Sequence, residues 1–235
     1  MVGDAGLSGW KNGMEQSFFV FNRIDVTVGP EEVLKQSGYP RADRAGAGFR
    51  KRVEVELTAV LRLIEPRGAY LLVDGARRMG LELFADAEKV VLALATAGPA
   101  IEARARTLVK DQQGAGALIV DAVGTIVAEK AADFIEGRIR EDFTRQGWRV
   151  SRRYAPGYCG WDLKAQKELL AHFPNTLGIE LTDSCLMLPE KSLSFVCLLD
   201  RERDFDWVKM GNCRICRQEE CSYRLHQYRP DSRGE

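Results

Sequence analysis

The run Arg153-Tyr-Ala-Pro-Gly-Tyr158 gathers several kinds of ligand-binding chemistry in one short stretch. The guanidinium of Arg153 suits a carboxylate, because its donors form a planar fork that matches two oxygens. Pro156-Gly157 marks a turn, and a turn can bring the backbone of Ala155, Gly157 and Tyr158 close to a bound molecule. Gly157 is free to take backbone angles that other residues avoid. Tyr158 offers a ring face and a hydroxyl. Each residue also has a plain structural role open to it, as a surface arginine, a turn glycine or a tyrosine closing the edge of a core. Glu129 is a second candidate. It follows Ile119, Val120, Ala122, Val123, Ile126, Val127 and Ala128, which leave almost no polar face on their helix. A carboxylate buried there requires a cation or several donors to offset its lost hydration. A ligand's ammonium group could supply that charge. So could Lys130 or an arginine, and exposure beyond the apolar stretch would remove the need.

Cysteines form the third cluster, Cys213-x2-Cys216-x4-Cys221, with His226 four residues further on. That is the spacing of a zinc knuckle with its last two ligand types exchanged. Three thiolates joined by Cys159, Cys185 or Cys197 could instead hold an iron–sulfur cluster, and unliganded thiols on a C-terminal turn are the third option. The chain has two histidines, His172 and His226, so a multi-histidine metal site is excluded. Ser192 and Ser194 are expected to shape a strand edge, since neither histidine forms a recognisable triad with them. No dinucleotide-binding or phosphate-loop glycine pattern follows a predicted strand. The Cys-x3-Cys-x2-Cys run of radical enzymes and the Asp-x-His-x2-Gly run that holds cobalt in many corrinoid proteins are also missing.

The elements that must position these residues can be read from periodicity. Pro30-Glu31-Glu32 has a helix start, with proline in the first turn and acids at the positive end of the dipole, and Gly38 before Pro40 ends that helix. A helix from about Arg50 to Ile64 carries Val53, Leu57, Val60 and Ile64 and stops at Glu65-Pro66. Residues 69–73 and 89–97 read as strands. Gly98-Pro99 launches a helix through Ile101, Ala105 and Leu108. A longer helix from about Ala115 to Phe143 has the stripe Val120, Val123, Val127, Ala131, Ile135, Ile139, in steps of three or four. Residues 148–151 are a short strand, Asp162 caps a helix through Leu169 and Leu170, and residues 178–181 and 193–199 are strands. With no repeat and no regular βαβ rhythm, one α+β domain is expected. Its span is residues 21–210, after a flexible tail at 1–20 and before a Cys-rich segment at 211–227 and a polar tail at 228–235.

Lys+Arg and Asp+Glu both number 34, so no whole-chain field draws the protein to nucleic acid or anionic lipid. No apolar run approaches the roughly 20 residues of a membrane helix, and the N-terminus lacks a secretory pattern. A cytoplasmic protein with reduced or metal-bound thiols is expected.

Three ordered elements resemble the activation domain of cobalamin-dependent methionine synthase, which binds S-adenosylmethionine. Arg153-Tyr-Ala-Pro-Gly-Tyr158 is similar to its Arg-x-x-Pro-Gly-Tyr element. Gly178-Ile-Glu-Leu-Thr182 and Met187-Leu-Pro-Glu-Lys-Ser-Leu-Ser194 are similar to its Gly-x-x-Leu-Thr and Met-x-Pro-x-x-Ser-x-Ser elements. Upstream, Asp121-Ala-Val-Gly124 through Glu129 and Ala132-Asp133 resembles the helix that contributes an acid to the site. The likeness spans roughly residues 90 to 200. It implies a mainly antiparallel twisted sheet with long flanking helices. It also implies S-adenosylmethionine as ligand, held by Arg153 through its carboxylate and by Glu129 through its ammonium, with Ala155, Gly157 and Tyr158 completing the turn. The family has an acid just before a Trp-Thr-Pro-Phe-Phe element; here Asp25 supplies an acid, but the aromatic pair is absent. The implied activity is that of a stand-alone component supporting reductive methylation of a corrinoid carried by a separate methyltransferase, with a low-potential electron donor as a further partner. Cobalamin would come only through that partner. A non-catalytic metal-binding interaction module with a vestigial pocket is the competing expectation.

Overall fold

The computed structural model describes residues 18–39, 41–74, 87–158 and 161–202. In chain order its elements are β1 (Phe18–Phe21), α1 (Pro30–Gln36), a 3-10 turn at Ala42–Arg44, α2 (Ala47–Val60), β2 (Arg67–Asp74), β3 (Lys89–Thr96), α3 (Ala100–Lys110) and α4 (Gly114–Thr144). They continue with β4 (Arg149–Val150), α5 (Ala165–Ala171), β5 (Glu180–Leu181), β6 (Met187–Leu188) and β7 (Ser192–Asp200). Five strands form one antiparallel sheet in the order β1-β2-β3-β7-β4, as expected for the α+β class. β5 and β6 pair only with each other, so residues 178–181 do not extend the main sheet.

The two central strands are apolar along nearly their whole length because both faces of the sheet are covered. On one face Tyr70, Ala93, Phe195 and Cys197 pack in a cluster with Ala131, Ala132, Ile135 and Ile139 of α4. On the other, Leu71, Leu92, Val196 and Leu198 pack with Leu169 and Leu170 of α5 and with Leu177 and Ile179. The strand registers Tyr70↔Ala93↔Phe195 and Leu71↔Leu92↔Val196 align these rows across the sheet. β1 begins at Phe18, three residues inside the stretch read as a tail. Its phenylalanines find cover: Phe18 pairs with Leu71 in register, and Phe19 stacks on Tyr70 with centroids 4.6 Å apart.

The 31-residue helix α4 is the organising element. Its N-terminal half packs among α1, α2 and α3, and its C-terminal half lies on the sheet. The full expected stripe from Val120 to Ile139 is buried. Gly124 permits a close approach: a Cβ there would lie 2.8 Å from Ile101 Cγ2 and 2.9 Å from Lys191 Cγ. The Lys191 stem crosses at that point and places Nζ 2.7 Å from Asp121 Oδ1 and 3.0 Å from Thr125 Oγ1. Ahead of α5, Asp162 Oδ1 accepts the N–H of Lys164 at 2.9 Å, so it caps the turn leading into the helix, which begins at Ala165. Among the described residues no helix is long and apolar enough to cross a membrane.

Candidate functional site

Where α4 emerges from the helical cluster, its outer face turns charged. Glu129, Asp133, Glu136 and Arg140 follow one another at steps of four, three and four, which places them along one side of the helix. Against this side runs the chain that leaves β4. Arg140 Nη1 donates to the carbonyl of Val150 at 3.0 Å, and Nη2 donates to that of Ser151 at 3.2 Å. Ser151 and Tyr154 in turn bond to β7: Ser151 N–H to Leu198 O at 3.0 Å, and Tyr154 N–H to Val196 O at 2.9 Å. The segment carrying Arg153 is thereby pinned between the helix and the sheet.

Arg153 is held by three carboxylates. Its Nη2 donates to Glu129 Oε2 at 2.8 Å, while Nη1 reaches Asp133 Oδ1 at 2.6 Å and Glu136 Oε2 at 3.2 Å. The guanidinium carbon lies 5.8 Å from the Phe195 ring centroid, and the side chain is 24% exposed. Burial works against its charge, but the bond to Asp133 and the fields of Asp133, Glu129 and Glu136 outweigh it and hold its pKa above the ordinary arginine value. Of the two settings open to Glu129, burial or exposure beyond the apolar stretch, the structure has the second: its side chain is 49% exposed. Val127 and Ala128 are the last of the buried run, and Glu129 starts the polar side. Its cation is an arginine of the same chain.

The turn after Arg153 has the expected form. Gly157 has φ +88°, in the left-handed region. The turn is closed by Tyr158 N–H to Ala155 O at 3.2 Å, Gly157 N–H to Trp161 O at 2.8 Å and Trp161 N–H to Tyr158 O at 3.0 Å. Ala155 is half-buried against the α4 side of the sheet. Tyr158 is 62% exposed and therefore does not close the core. Beyond the bridge at Val196, no described strand pairs with β7 on its β4 side. Val196 and Leu198 point their backbone groups toward that side, so by the period of two Ser194 does the same, beside the Arg153 turn. The hydroxyl of Ser192 donates to Thr96 Oγ1 at 2.9 Å, and that of Ser194 has no partner among the described residues. Both serines are buried, on a stretch of β7 whose backbone no described strand pairs with on the β4 side.

The structure brings the Arg153 turn, the Lys191 loop and α4 together, whereas in the stretch 178–182 Glu180–Leu181 pair with Met187–Leu188 and Ile179 packs on the α5 side of the sheet. The turn meets α4 through Arg153, the Lys191 loop meets α4 through Asp121 and Thr125, and turn and β7 meet at the Tyr154–Val196 bridge. It does not bring Asp25 into the ion cluster. Asp25 is 96% exposed and pairs with Arg23 at 3.5 Å. It does lie on the segment that crosses α4, where Lys130 bonds the carbonyl of Thr27. Asp133, Glu136 and Arg140 were not singled out as site residues, although their spacing along α4 was readable. Cys213, Cys216, Cys221 and Cys159 lie outside the described residues. Cys185 and Cys197 are buried free thiols. Cys197 lies fully buried in the sheet core, and burial pushes its thiol up. Among the described residues no group of three or more histidine, cysteine, aspartate or glutamate side chains could hold a metal ion.

No family model and no curated protein matches the chain. Among solved structures it is similar to the crystal structure of the MetH reactivation domain bound to AdoHcy, at 15% identity and a TM-score of 0.52, covering 71% of this chain and 70% of that one. A likeness at that identity establishes a shared fold.

Proposed function

We propose that this chain binds S-adenosylmethionine at the Arg153–Tyr158 turn and presents its methyl group to a corrinoid carried by a separate methyltransferase. The observation that carries the reading is the meeting of Arg153 with Glu129 beside a glycine turn and an open strand edge, within a fold shared with a reactivation domain that was crystallised with AdoHcy. The donor set fits the ligand. A guanidinium matches the α-carboxylate and a carboxylate matches the α-ammonium. The Ser194 edge and the turn offer backbone groups, and the exposed Tyr158 ring offers a face for the adenine or the sulfonium. Surplus acid beside Arg153, from Asp133 and Glu136, favours a ligand with net positive charge.

The separate methyltransferase would bring the corrinoid whose cobalt takes the methyl group, a low-potential electron donor would supply the one electron needed for reduction, and S-adenosylhomocysteine would be released. The work of this chain would be positional: to hold the sulfonium methyl toward the cobalt and keep the donor in register. No proton transfer is required, which agrees with a site built from ion pairs and backbone groups. Cys213, Cys216 and Cys221 enter as a thiolate set. Iron with broad absorption near ~400 nm would give them an electron-transfer role, zinc a bracing role, and neither metal would remove them from the reading. The setting would be the cytoplasm.

Calorimetry tests the reading. S-adenosylmethionine should bind the intact chain, and Arg153→Ala should weaken that binding by roughly tenfold to hundredfold, the scale of a lost charge-assisted bond. No heat of binding at millimolar ligand would sink the proposal.

A further inference from the structure

Resting on that reading, we infer that the Glu129–Arg153 pair is a closed latch, opened only by ligands carrying both an α-carboxylate and an α-ammonium group. The two side chains assigned to opposite charges of the ligand are bonded to each other, Nη2 to Oε2 at 2.8 Å. The ligand's amino-acid end must come between them.

The guanidinium is built for such an exchange because its two terminal nitrogens are held differently. Nη1 is anchored by two carboxylates, Asp133 at 2.6 Å and Glu136 at 3.2 Å. Glu136 is itself fastened, since it also pairs with Arg140 at 3.2 Å, and Arg140 grips the carbonyls of Val150 and Ser151. Among the described residues Nη2 has Glu129 alone. Glu129 is half exposed and, among the described residues, has no second partner. One nitrogen is therefore the hinge, and the other, with its single mobile acid, is the catch.

A zwitterion opens this catch at little cost. It breaks one ion pair and makes two, carboxylate to Nη2 and ammonium to Glu129. A ligand with the ammonium alone satisfies Glu129 but leaves the Nη2 nitrogen without its carboxylate, so it breaks one pair to make one. A ligand with neither charge leaves the latch shut. The losses on removing the two charges are then not additive, because with either charge missing the one remaining new pair only offsets the broken Glu129–Arg153 bond.

Three adenosyl thioethers, all uncharged at sulfur, test this on the intact chain by calorimetry. They are S-adenosylhomocysteine, its decarboxylated amine, and 5′-methylthioadenosine. The latch predicts that the amine binds as weakly as methylthioadenosine, both roughly tenfold to hundredfold below S-adenosylhomocysteine. An amine of intermediate or full affinity means two independent subsites, and overturns the latch while leaving the ligand reading intact. Failure of S-adenosylhomocysteine itself to bind overturns both.

Discussion

Arg153 is charged, mostly covered, and surrounded by more negative charge than it can neutralise. Such a group is stable only while its bonds are made, and its geometry matters as much as its charge. Arg153→Lys keeps the charge but loses the fork that reaches Glu129 on one side and Asp133 and Glu136 on the other. The lysine variant is expected to bind S-adenosylmethionine nearly as poorly as Arg153→Ala, by about a factor of ten or more relative to the parent chain. Glu136→Gln is subtler. It should leave the fold stable in urea titration yet weaken the ligand severalfold, because Glu136 couples Arg153 to Arg140 without facing the ligand. An unchanged affinity in Glu136→Gln would remove it from the positioning role.

Helix α4 links every part of the molecule, so perturbations along it should be felt by both halves. Gly124→Ala places a methyl group against Ile101 and the Lys191 stem, and should destabilise the fold by about 1–3 kcal/mol in denaturant titration. Further along, the Tyr70 hydroxyl donates to Asp142, tying β2 to α4. Burial, then the bond to Asp142, raises the Tyr70 pKa. A raised phenol is neutral in the fold, so its contribution is fully present below the unfolded pKa of about 10 and declines as pH climbs above it. Melting temperature should therefore fall as pH rises from about 10 to about 12, above that unfolded value, and fall less in Tyr70→Phe. Equal slopes in both chains would dismiss the link. The course of α4 was legible in the sequence because its buried stripe keeps a helical period over its whole length. Burial or exposure of Glu129 was not decided by the sequence, because it follows directly on the buried Val127 and Ala128. The β5–β6 pair escaped notice as a separate unit, since two-residue strands have no period to read. The partners of Arg153 lie 17 to 24 residues away on another element, a pairing that only the fold reveals.

At the scale of the molecule, an antiparallel sheet carries α4 on one face and α5 on the other, and the candidate site sits where α4, the Arg153 turn and the β7 edge converge. A ligand bridging these parts binds the folded chain alone and must stabilise it. At a concentration about a hundred times Kd the gain is about 2.7 kcal/mol. S-adenosylmethionine should accordingly raise the melting temperature of the intact chain, and Arg153→Ala should lose the rise. The most direct measurement is a crystal structure with S-adenosylmethionine bound. The expected result is a ligand carboxylate on Arg153 Nη2, its ammonium on Glu129, and the direct Glu129–Arg153 bond broken. A ligand bound elsewhere, with that bond intact, would contradict the assignment of this turn.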